Sequence, residues 1–307
     1  MFDVIVIGAG PAGLTAALYV RRADKTVLIL EKNGFGGQMT YSPKIENYPG
    51  YSEISGNELA DKMVEQVLEQ GAEVEIEEVL EIKKTAECFK VITDCGEHSC
   101  KTVISALGAK HRLLGVPGEE KFIGEGISFC AVCDGAFYAD KNVAVIGGGN
   151  SALQEAILLS NVCKSVFIIQ NLPVFTGEEC LVKAIESKPN VSYITDAVVK
   201  EFYGKDEFEG AVVEKKGEEP VKMEFDGVFV AIGLKPENDI VKELAQIDNF
   251  GYVNSGESCT TKTDRLFVAG DCRTKKIRQI TTATADGAIA ALAAIDYLDK
   301  QSCDIIK

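Results

Sequence analysis

The chain has 307 residues, 46% of them hydrophobic and 26% charged, which is typical of a globular protein with room for two domains. Its formal net charge of −15 argues against nucleic acid as a partner, because phosphate binding needs a basic face. Met1 leads almost at once into a strand-like segment, which leaves no room for a targeting leader, and Ala288–Ile295 is too short to cross a bilayer. We therefore expect a soluble, cytoplasmic protein without membrane or nucleic-acid partners.

The first predicted element is the strand Phe2–Ile7, followed by the sequence GAGPAG at residues 8–13 and by a helix. In this G-x-G-x-x-G pattern the first glycine makes a tight turn, and the second lets backbone amides approach a pyrophosphate. The next strand, Thr26–Leu30, leads to Glu31, where an acid can accept hydrogen bonds from a ribose. A glycine-rich turn alone is a weak signal, but the strand, the helix and the acid together favour dinucleotide binding.

The following segment is predicted to hold one helix and several short strands. Apolar residues recur at helical spacing over residues 56–70. The strands are predicted at Glu73–Ile76, Glu87–Thr93 and Thr102–Ser105.

A C-x-x-C sequence, Cys130 to Cys133, is followed directly by Asp134. Two cysteines at this spacing can close a disulfide if the chain turns at a helix start, where the helix N-terminus favours the thiolate. The Asp134 carboxylate can move a proton, since each half of a thiol–disulfide exchange must protonate a leaving thiolate. These residues therefore predict a redox-active pair.

The pair has two other possible interpretations. A structural zinc site needs two more ligands, but there is no second C-x-x-C and the only histidines are His98 and His111, so we predict no metal. A chance pair among ten cysteines is the other interpretation, and the dinucleotide frame on the same chain disfavours it. The remaining cysteines are expected to be reduced, small, buried thiols: Cys88, Cys95, Cys100, Cys163, Cys180, Cys259, Cys272 and Cys303.

A second glycine-rich turn repeats the first. Residues 143–157 read VAVIGGGNSALQEAI, with Gly147, Gly149 and Ala152 in the three small-residue positions. The next predicted strand, Ser165–Ile169, leads to Gln170, which is neither an acid for a ribose nor an arginine for a 2′-phosphate. The second turn thus has the frame of a nicotinamide site without its usual charges.

The C-terminal part completes the predicted organisation. Hairpin segments after Tyr193 end in a strand at Gly227–Ile232. The strand Leu266–Ala269, a turn at Gly270-Asp271 and a helix from about Thr281 to Leu298 follow. We predict an α/β protein with a discontinuous first domain, residues 1–114 and 244–307, and a second domain, residues 115–243, inserted into it.

The chain resembles the low-molecular-weight bacterial-type thioredoxin reductases over essentially its whole length. Besides GAGPAG, CAVCD and GGGNSA, the motifs that carry the resemblance are GGQ at 36–38, ENYPG at 46–50, ALGA at 106–109, FVAIGLKP at 229–236, FVAGDC at 267–272 and RQITTA at 278–283. The resemblance implies two Rossmann-like domains of the glutathione-reductase type. The first would bind FAD, and the inserted one would carry the C-x-x-C pair on a degenerate pyridine-nucleotide-binding fold.

The resemblance also implies roles for individual residues. The FAD site would include Gly8, Gly10, Pro11, Ala12, Gly13, Glu31, Lys32, Gly36, Gly37, Gln38, Asn47, Gly108, Gly270, Asp271, Arg278, Gln279 and Ile280. Glu31 would hold the adenosine ribose and Asp271 the ribityl chain. Cys133 would face the flavin, Cys130 would attack the disulfide of a thioredoxin, and Asp134 would be the acid–base. A homodimer is implied in the same way.

The electron donor is where the sequence departs from the common pattern. NADPH-using members carry a basic cluster after the second βαβ strand, where this chain reads QNLPVFTGEE. That departure resembles the ferredoxin-dependent flavin thioredoxin reductases, so we expect ferredoxin as the donor. The basic run Arg273, Lys275, Lys276 and Arg278 is a candidate docking face for an acidic ferredoxin, with an ordinary solvated loop as the alternative.

Three other possibilities are consistent with the sequence. NADH or NADPH could bind through backbone contacts and Gln170 alone. The flavin could reduce a different thiol partner or a low-potential acceptor, or the C-x-x-C pair could only sense redox state in a flavin-binding regulator.

Overall fold

In the computed structural model residues 1–305 are described, with side chains as far as Gln301. The chain divides into two compact units, residues 1–110 with 235–307 and residues 111–234.

The N-terminal part of the first unit contains seven strands and two helices. The strands are β1 (Phe2–Ile7), β2 (Val27–Glu31), β3 (Glu73–Ile76), β4 (Val79–Lys84), β5 (Phe89–Thr93), β6 (Glu97–Ser105) and β7 (Ala109–His111), and the helices are α1 (Pro11–Arg22) and α2 (Gly56–Glu69). Ser55 begins α2 as its N-cap, because its hydroxyl accepts the backbone amide of Glu58. A short 3₁₀ turn, Gly37–Tyr41, lies between β2 and α2.

The second unit contains eight strands and four helices. The strands are β8 (Ile127–Ser128), β9 (Asn142–Ile146), β10 (Ser165–Ile169), β11 (Val191–Ile194), β12 (Ala197–Tyr203), β13 (Gly210–Lys215), β14 (Val221–Glu224) and β15 (Gly227–Val230), and the helices are α3 (Glu119–Phe122), α4 (Ala131–Asp134), α5 (Asn150–Leu159) and α6 (Glu179–Glu186). Strands β11, β10, β9, β15 and β8 form one sheet in that order, and β12, β13 and β14 form a separate antiparallel sheet. The pairs in the first of these sheets are all parallel, as in a Rossmann unit.

The chain returns to the first unit with two strands and a long helix: β16 (Leu234–Pro236), β17 (Leu266–Val268) and α7 (Ile280–Ile305). The main sheet of this unit has the order β3-β2-β1-β6-β5-β4, and β17 also pairs with β6. Strand β1 pairs in parallel with β2 and β6, and their registers place the glycine turn after β1 at the carboxyl edge of the sheet. Ligands of open α/β sheets bind at this edge.

The unit boundaries fall earlier than the sequence indicated. The chain crosses at 110/111 and 234/235, where the prediction was 114/115 and 243/244. The two crossing segments are β7 and β16, which pair with each other, so each boundary lies inside a strand and not in the loop after it.

Close contact between α1 and α7 explains the alanine-rich C-terminal helix. A Cβ placed on Gly287 would lie 2.2 Å from the carbonyl oxygen of Ala12. Ala290, Ala291 and Ala294 are fully buried in the same cluster. Small residues therefore let the two helices pack backbone to backbone.

No helix among residues 1–305 combines the length and apolar character needed to cross a bilayer.

The predicted α/β class, with two Rossmann-like units, is confirmed. The expectation for the unpaired cysteines is wrong at two positions, because Cys95 and Cys180 are exposed. Cys95 lies in the turn between β5 and β6, and Cys180 lies in the first turn of the mostly exposed helix α6. Cys88 is half-buried, four others are buried, and the side chain of Cys303 lies outside the described residues.

Candidate active site

The first glycine-rich turn has room for a ligand at one position only. Gly8 has φ +104°, and a Cβ there would lie 2.4 Å from the carbonyl oxygen of Ala106. A Cβ on Gly13 would lie 1.9 Å from the Gly8 carbonyl oxygen. At Gly10, which precedes the first residue of α1, a Cβ would meet nothing within 4 Å. This is the arrangement that a pyrophosphate at a helix N-terminus requires.

Glu31, at the end of β2, is held against the same turn. Its Oε2 accepts the backbone amide of Ala9 at 2.9 Å, and its Oε1 accepts the amide of Asn33 at 3.1 Å. The neighbouring Lys32 points its ammonium group at Glu237, with 3.3 Å between Nζ and Oε2. Glu237 also pairs with Lys110, so the charge of Lys32 is compensated within the protein.

Other residues predicted to contact the cofactor lie at three places in the first unit. Gly36 donates its amide to the carbonyl of Ala9 at 2.8 Å, which places the Gly36-Gly37 segment beside the glycine turn. Asn47 donates its side-chain amide to Gln279 Oε1 at 3.2 Å, one residue before the start of α7 at Ile280. A Cβ on Gly108, which has φ +69°, would meet nothing within 4 Å, as at Gly10.

Two of the four buried side-chain polar atoms without a partner in the described part of this unit belong to predicted cofactor residues. They are Asp271 Oδ1 and Gln38 Oε1. Burial raises the pKa of Asp271, although the charges of Lys275 and Arg278 act in the opposite direction. Since buried polar groups are almost always hydrogen-bonded, both atoms are suited to accept hydrogen bonds from a ligand. Gly270 precedes Asp271 and donates its amide to Asp286 Oδ2 at 3.1 Å. A Cβ on Gly270 would lie 2.9 Å from the Cβ of Ala12, which follows Pro11, the first residue of α1.

The basic run near residue 275, the candidate docking face, is not an exposed basic surface. Arg273 and Lys275 both pair with Asp286 on α7, at 3.4 and 2.8 Å, and each of the two side chains is only 9% exposed. Arg278 lies 4.2 Å from the ring centroid of Tyr252 and donates to the carbonyl of Asp271. Of the four cations, only Lys276 is exposed.

In the second unit, Cys130 and Cys133 are joined by a disulfide at the start of α4, with their Cα atoms 5.3 Å apart. Cys130 is the N-cap of α4, and its Sγ accepts the amide of Cys133 at 3.2 Å. Val132, between them, is 60% exposed, so the turn that carries the disulfide faces solvent. A protein partner can therefore reach this turn.

Asp134 lies directly beneath the disulfide turn. Its Oδ2 accepts the hydroxyl of Ser128 at 2.5 Å, and the same Ser128 oxygen accepts the amide of Cys130 at 3.1 Å. Its Oδ1 is buried without a partner. Burial raises the pKa of Asp134, and the hydrogen bond from Ser128 offsets part of that rise. The raised pKa favours the protonated form of the carboxyl.

Sequence reasoning missed two polar residues of this site. Ser128 lies two positions before Cys130, close enough for its proximity to have been a signal. Glu155 on α5 lies close to Ala131 and Asp134, a proximity between helices that no local pattern indicates, and burial raises its pKa to about 8. Among the described residues, no group of three or more His, Cys, Asp or Glu side chains is arranged to hold a metal ion.

The second glycine-rich turn is bound by the chain that follows β10. We call residues 171–178 the return loop. The amides of Thr176 and Gly177 donate to the Gly148 carbonyl at 2.8 and 3.0 Å. At the first residue of α5, Asn150 donates to Glu178 Oε1 at 3.0 Å and accepts the Glu178 amide at 2.7 Å. The anion near this helix N-terminus is therefore a carboxylate of the protein itself.

Gln170 is also committed to the return loop. It is 3% exposed, its side-chain amide donates to the Val174 carbonyl at 3.0 Å, and its Oε1 accepts the amide of Asn171 at 3.1 Å. A Cβ on Gly148 would lie 2.4 Å from the Gln170 side chain. Both polar ends of Gln170 are thus used within the protein.

Comparison with known proteins shows likeness over nearly the whole chain. The family model of the pyridine nucleotide-disulphide oxidoreductases matches residues 2–287. A 34.2 kDa protein in the rubredoxin operon of Clostridium pasteurianum is 39% identical, over 96% of this chain and 97% of that protein. Thioredoxin reductase of Bacillus subtilis (strain 168) is 37% identical, over 98% and 96% of the two chains. The crystal structure of thioredoxin reductase from Streptococcus pyogenes MGAS5005 superposes with a TM-score of 0.94 at 41% identity, covering 98% of this chain and 99% of that one.

Proposed function

The chain belongs to the pyridine nucleotide-disulphide oxidoreductase family, and from that premise we propose that it reduces thioredoxin through the Cys130–Cys133 disulfide. FAD is the cofactor of this family. The observation that carries the proposal is the position of Asp134. A carboxyl with a raised pKa and one buried oxygen lies beside the partly exposed disulfide and is linked to Cys130 through Ser128.

The first unit fits FAD at both ends of the cofactor. The open space at Gly10 and the placement of Glu31 suit the pyrophosphate and a ribose. The unpartnered oxygens of Asp271 and Gln38 can accept hydrogen bonds from the hydroxyl groups and the ring N–H groups of the cofactor. Arg278, Gln279 and Ile280 remain proposed contacts of the flavin end. Lys32 has the least support of the predicted residues, because its ammonium pairs with Glu237.

Bound FAD supplies a carrier that accepts electrons singly or in pairs and delivers two to a disulfide. Opening the Cys130–Cys133 bond takes two electrons and two protons, and Asp134 gives one of those protons to a leaving sulfur. We assign Cys130 to attack on the thioredoxin disulfide and Cys133 to the flavin side. The exposed Val132 between them supports access by a protein substrate.

For the electron donor we propose reduced ferredoxin. The return loop supplies no Lys or Arg to the second glycine turn, and Glu178 places a carboxylate beside the N-terminus of α5. That carboxylate would repel a phosphate where the helix end otherwise attracts one. Losing two or three charge-assisted hydrogen bonds, each worth roughly 1.5–3 kcal/mol, would lower the binding affinity for NADPH by several orders of magnitude.

NADPH or NADH is the second candidate donor, and the description of the matching family favours it. Binding would have to use the backbone of the second turn. Gln170, the other contact considered, already bonds Val174 and Asn171. A cytoplasmic location and a homodimer are further proposals that rest on the resemblance. Light scattering of the purified protein distinguishes a dimer from a monomer.

Trapping with thioredoxin tests the proposed reaction and the cysteine roles without any electron donor. The variants Cys133→Ser and Cys130→Ser would each be mixed with a thioredoxin whose second active-site cysteine is replaced by serine and whose first is activated as a mixed disulfide. We expect Cys133→Ser to form a covalent complex through Cys130, and Cys130→Ser to form none at the same rate. Equal trapping by both variants contradicts the assigned roles, and trapping by neither contradicts thioredoxin as the partner.

A further inference from the structure

Asp286 is a buried acid on α7 to which the proposed cycle gives no task. The residue is 7% exposed, and its Oδ2 accepts hydrogen bonds from three different residues. The Gly270 amide lies 3.1 Å from this oxygen, Lys275 Nζ lies 2.8 Å from it, and a terminal nitrogen of Arg273 lies 3.4 Å from it. A single carboxylate oxygen therefore joins α7 to three points of the segment 270–275.

The three points lie on both sides of Asp271. Gly270 directly precedes Asp271, and Arg273 and Lys275 follow it within four residues. The turn that carries Asp271, Gly270–Cys272, is a short 3₁₀ turn. Asp271 Oδ1 is buried without a hydrogen-bond partner in the described part of the protein. The position of that oxygen is therefore set by the backbone of the turn, which Asp286 holds at Gly270.

The two cations extend the contacts of Asp286 to other parts of the first unit. Arg273 also donates to Ser255 Oγ at 2.8 Å and to the Gly256 carbonyl at 2.7 Å. Lys275 also donates to the carbonyl of Thr282, in the first turn of α7, at 3.2 Å. Two buried cations need a nearby anion, and Asp286 provides it. A carboxylate that only balanced those charges would have no need of the neutral Gly270 amide.

We propose that Asp286 is a positioning residue of the FAD site, which fixes the turn Gly270–Cys272 from α7 and so holds the Asp271 carboxyl in place for the cofactor. This inference rests on the proposed function, because Asp271 is a proposed contact of FAD. A group that is held in its binding position before the ligand arrives loses less conformational freedom on binding. The effect of Asp286 should therefore be seen in the affinity for FAD and in the local stability of the turn.

The main variant is Asp286→Asn, which keeps the size of the side chain but removes the charge that pairs with Arg273 and Lys275. Asp296→Asn, the same substitution at an exposed acid on the same helix, is the matched control. An unpaired buried cation can prevent folding. In that case Lys275→Met with Asp286→Asn, which removes one charge of each sign, is compared with Lys275→Met alone.

Amide hydrogen exchange of the full chain, with FAD in excess, tests the local effect. We expect peptides that cover residues 270–275 to exchange ~10-fold faster in Asp286→Asn, because the Gly270 amide loses a charged acceptor. Peptides that cover β1 should exchange at the wild-type rate, and Asp296→Asn should match wild type in both regions. Equal acceleration in β1 and in residues 270–275 would show a general loss of stability and would overturn the proposal, as would unchanged exchange in both.

The FAD affinity tests the effect on the site, measured as free FAD in the ultrafiltrate of the loaded protein. Asp286→Asn should lower the affinity ~10-fold, and Asp296→Asn should change it by less than ~2-fold. In a protein that already carries Asp271→Asn, the further loss from Asp286→Asn should shrink to less than ~3-fold, because residues that act through each other are not additive. A full ~10-fold loss in that background would show that Asp286 acts independently of Asp271 and would overturn the proposal. An unchanged affinity in Asp286→Asn would overturn it as well.

Thioredoxin reduction is measured separately on the wild-type protein. Its absence would contradict the proposed function, while the exchange and affinity measurements, which need neither thioredoxin nor an electron donor, would still decide the role of Asp286.

Discussion

The two glycine-rich turns have the same strand–turn–helix frame but different surroundings. At the first, a Cβ on Gly10 would meet nothing within 4 Å, and the acid Glu31 is held by the amides of the turn and of the following loop. At the second, the return loop hydrogen-bonds Gly148, and Glu178 lies beside the first residue of α5. A frame that can bind a dinucleotide therefore does so only where nearby side chains leave space and suitable charge.

The largest contrast is expected from the same substitution at the two turns. Gly10→Val would fill the space proposed for the pyrophosphate and should lower FAD affinity by at least ~100-fold, the loss of several amide contacts. Gly149→Val, whose nearest outside neighbour is Thr176 Oγ1 at 3.7 Å, should leave flavin content and ferredoxin-driven turnover unchanged. Flavin absorbance after gel filtration and thioredoxin reduction measure both. Loss of turnover in Gly149→Val with intact flavin would indicate that the second turn binds a nucleotide after all.

Adding positive charge to the return loop should make the second turn better able to bind a nucleotide. The combined variant Asn171→Arg, Thr176→Arg and Glu178→Gln supplies two cations and removes the carboxylate. We expect turnover with NADPH to rise ~10- to 100-fold over wild type, the value of one or two charge-assisted contacts. The comparison variant is Glu186→Gln, an exposed acid at the end of α6. An equal gain in both variants would mean that net charge, and not the local site, limits NADPH.

Asp271→Asn tests the unpartnered carboxyl of the first unit. Removing the carboxylate acceptor should lower the binding affinity for FAD ~10-fold, as measured by fluorescence titration of the apoprotein. The folded-state pKa of Asp271 is raised by burial, so this group stabilises the apoprotein fully below its unfolded pKa and loses that contribution as pH rises. Urea unfolding of the apoprotein above about pH 4 should therefore show a smaller decline with pH in Asp271→Asn. An unchanged FAD affinity would remove Asp271 from the site.

The smallest effect is expected for Lys32→Ala. Because its ammonium pairs with Glu237, its loss should change FAD affinity by less than ~3-fold, as for a partly exposed ion pair. The same titration measures it. A loss of ~10-fold or more would mean that Lys32 leaves Glu237 to contact the cofactor.

The elements that the sequence predicted well are those set by local pattern. The continuous apolar runs of β1 and β10 and the glycine turns after β1 and β9 gave strand bounds that match the structure. Strand β4 was missed because, in Val79–Lys84, only two of six residues are buried. Helix α6 was missed because it follows a segment without a side-chain N-cap.

The details of the sites depend on contacts between distant residues, which local pattern does not contain. Arg273 and Lys275 looked like a basic surface until Asp286, more than ten residues later on α7, was seen to pair with both. The return loop binds the second turn through the backbone amides of Thr176 and Gly177, which carry no sequence signal. In contrast, the missing cations after β10 were readable from the sequence alone.

The measurement that tests the contrast between the two turns most directly is an anaerobic reduction of the FAD-loaded protein. The flavin absorbance would be followed while NADPH, NADH or reduced ferredoxin is added, with thioredoxin as acceptor. We expect rapid bleaching and thioredoxin reduction with ferredoxin, and neither with the nicotinamides at micromolar concentration. Rapid bleaching by NADPH would contradict this expectation, and would show that the second turn binds a nucleotide despite Glu178 and the absence of cations in the return loop.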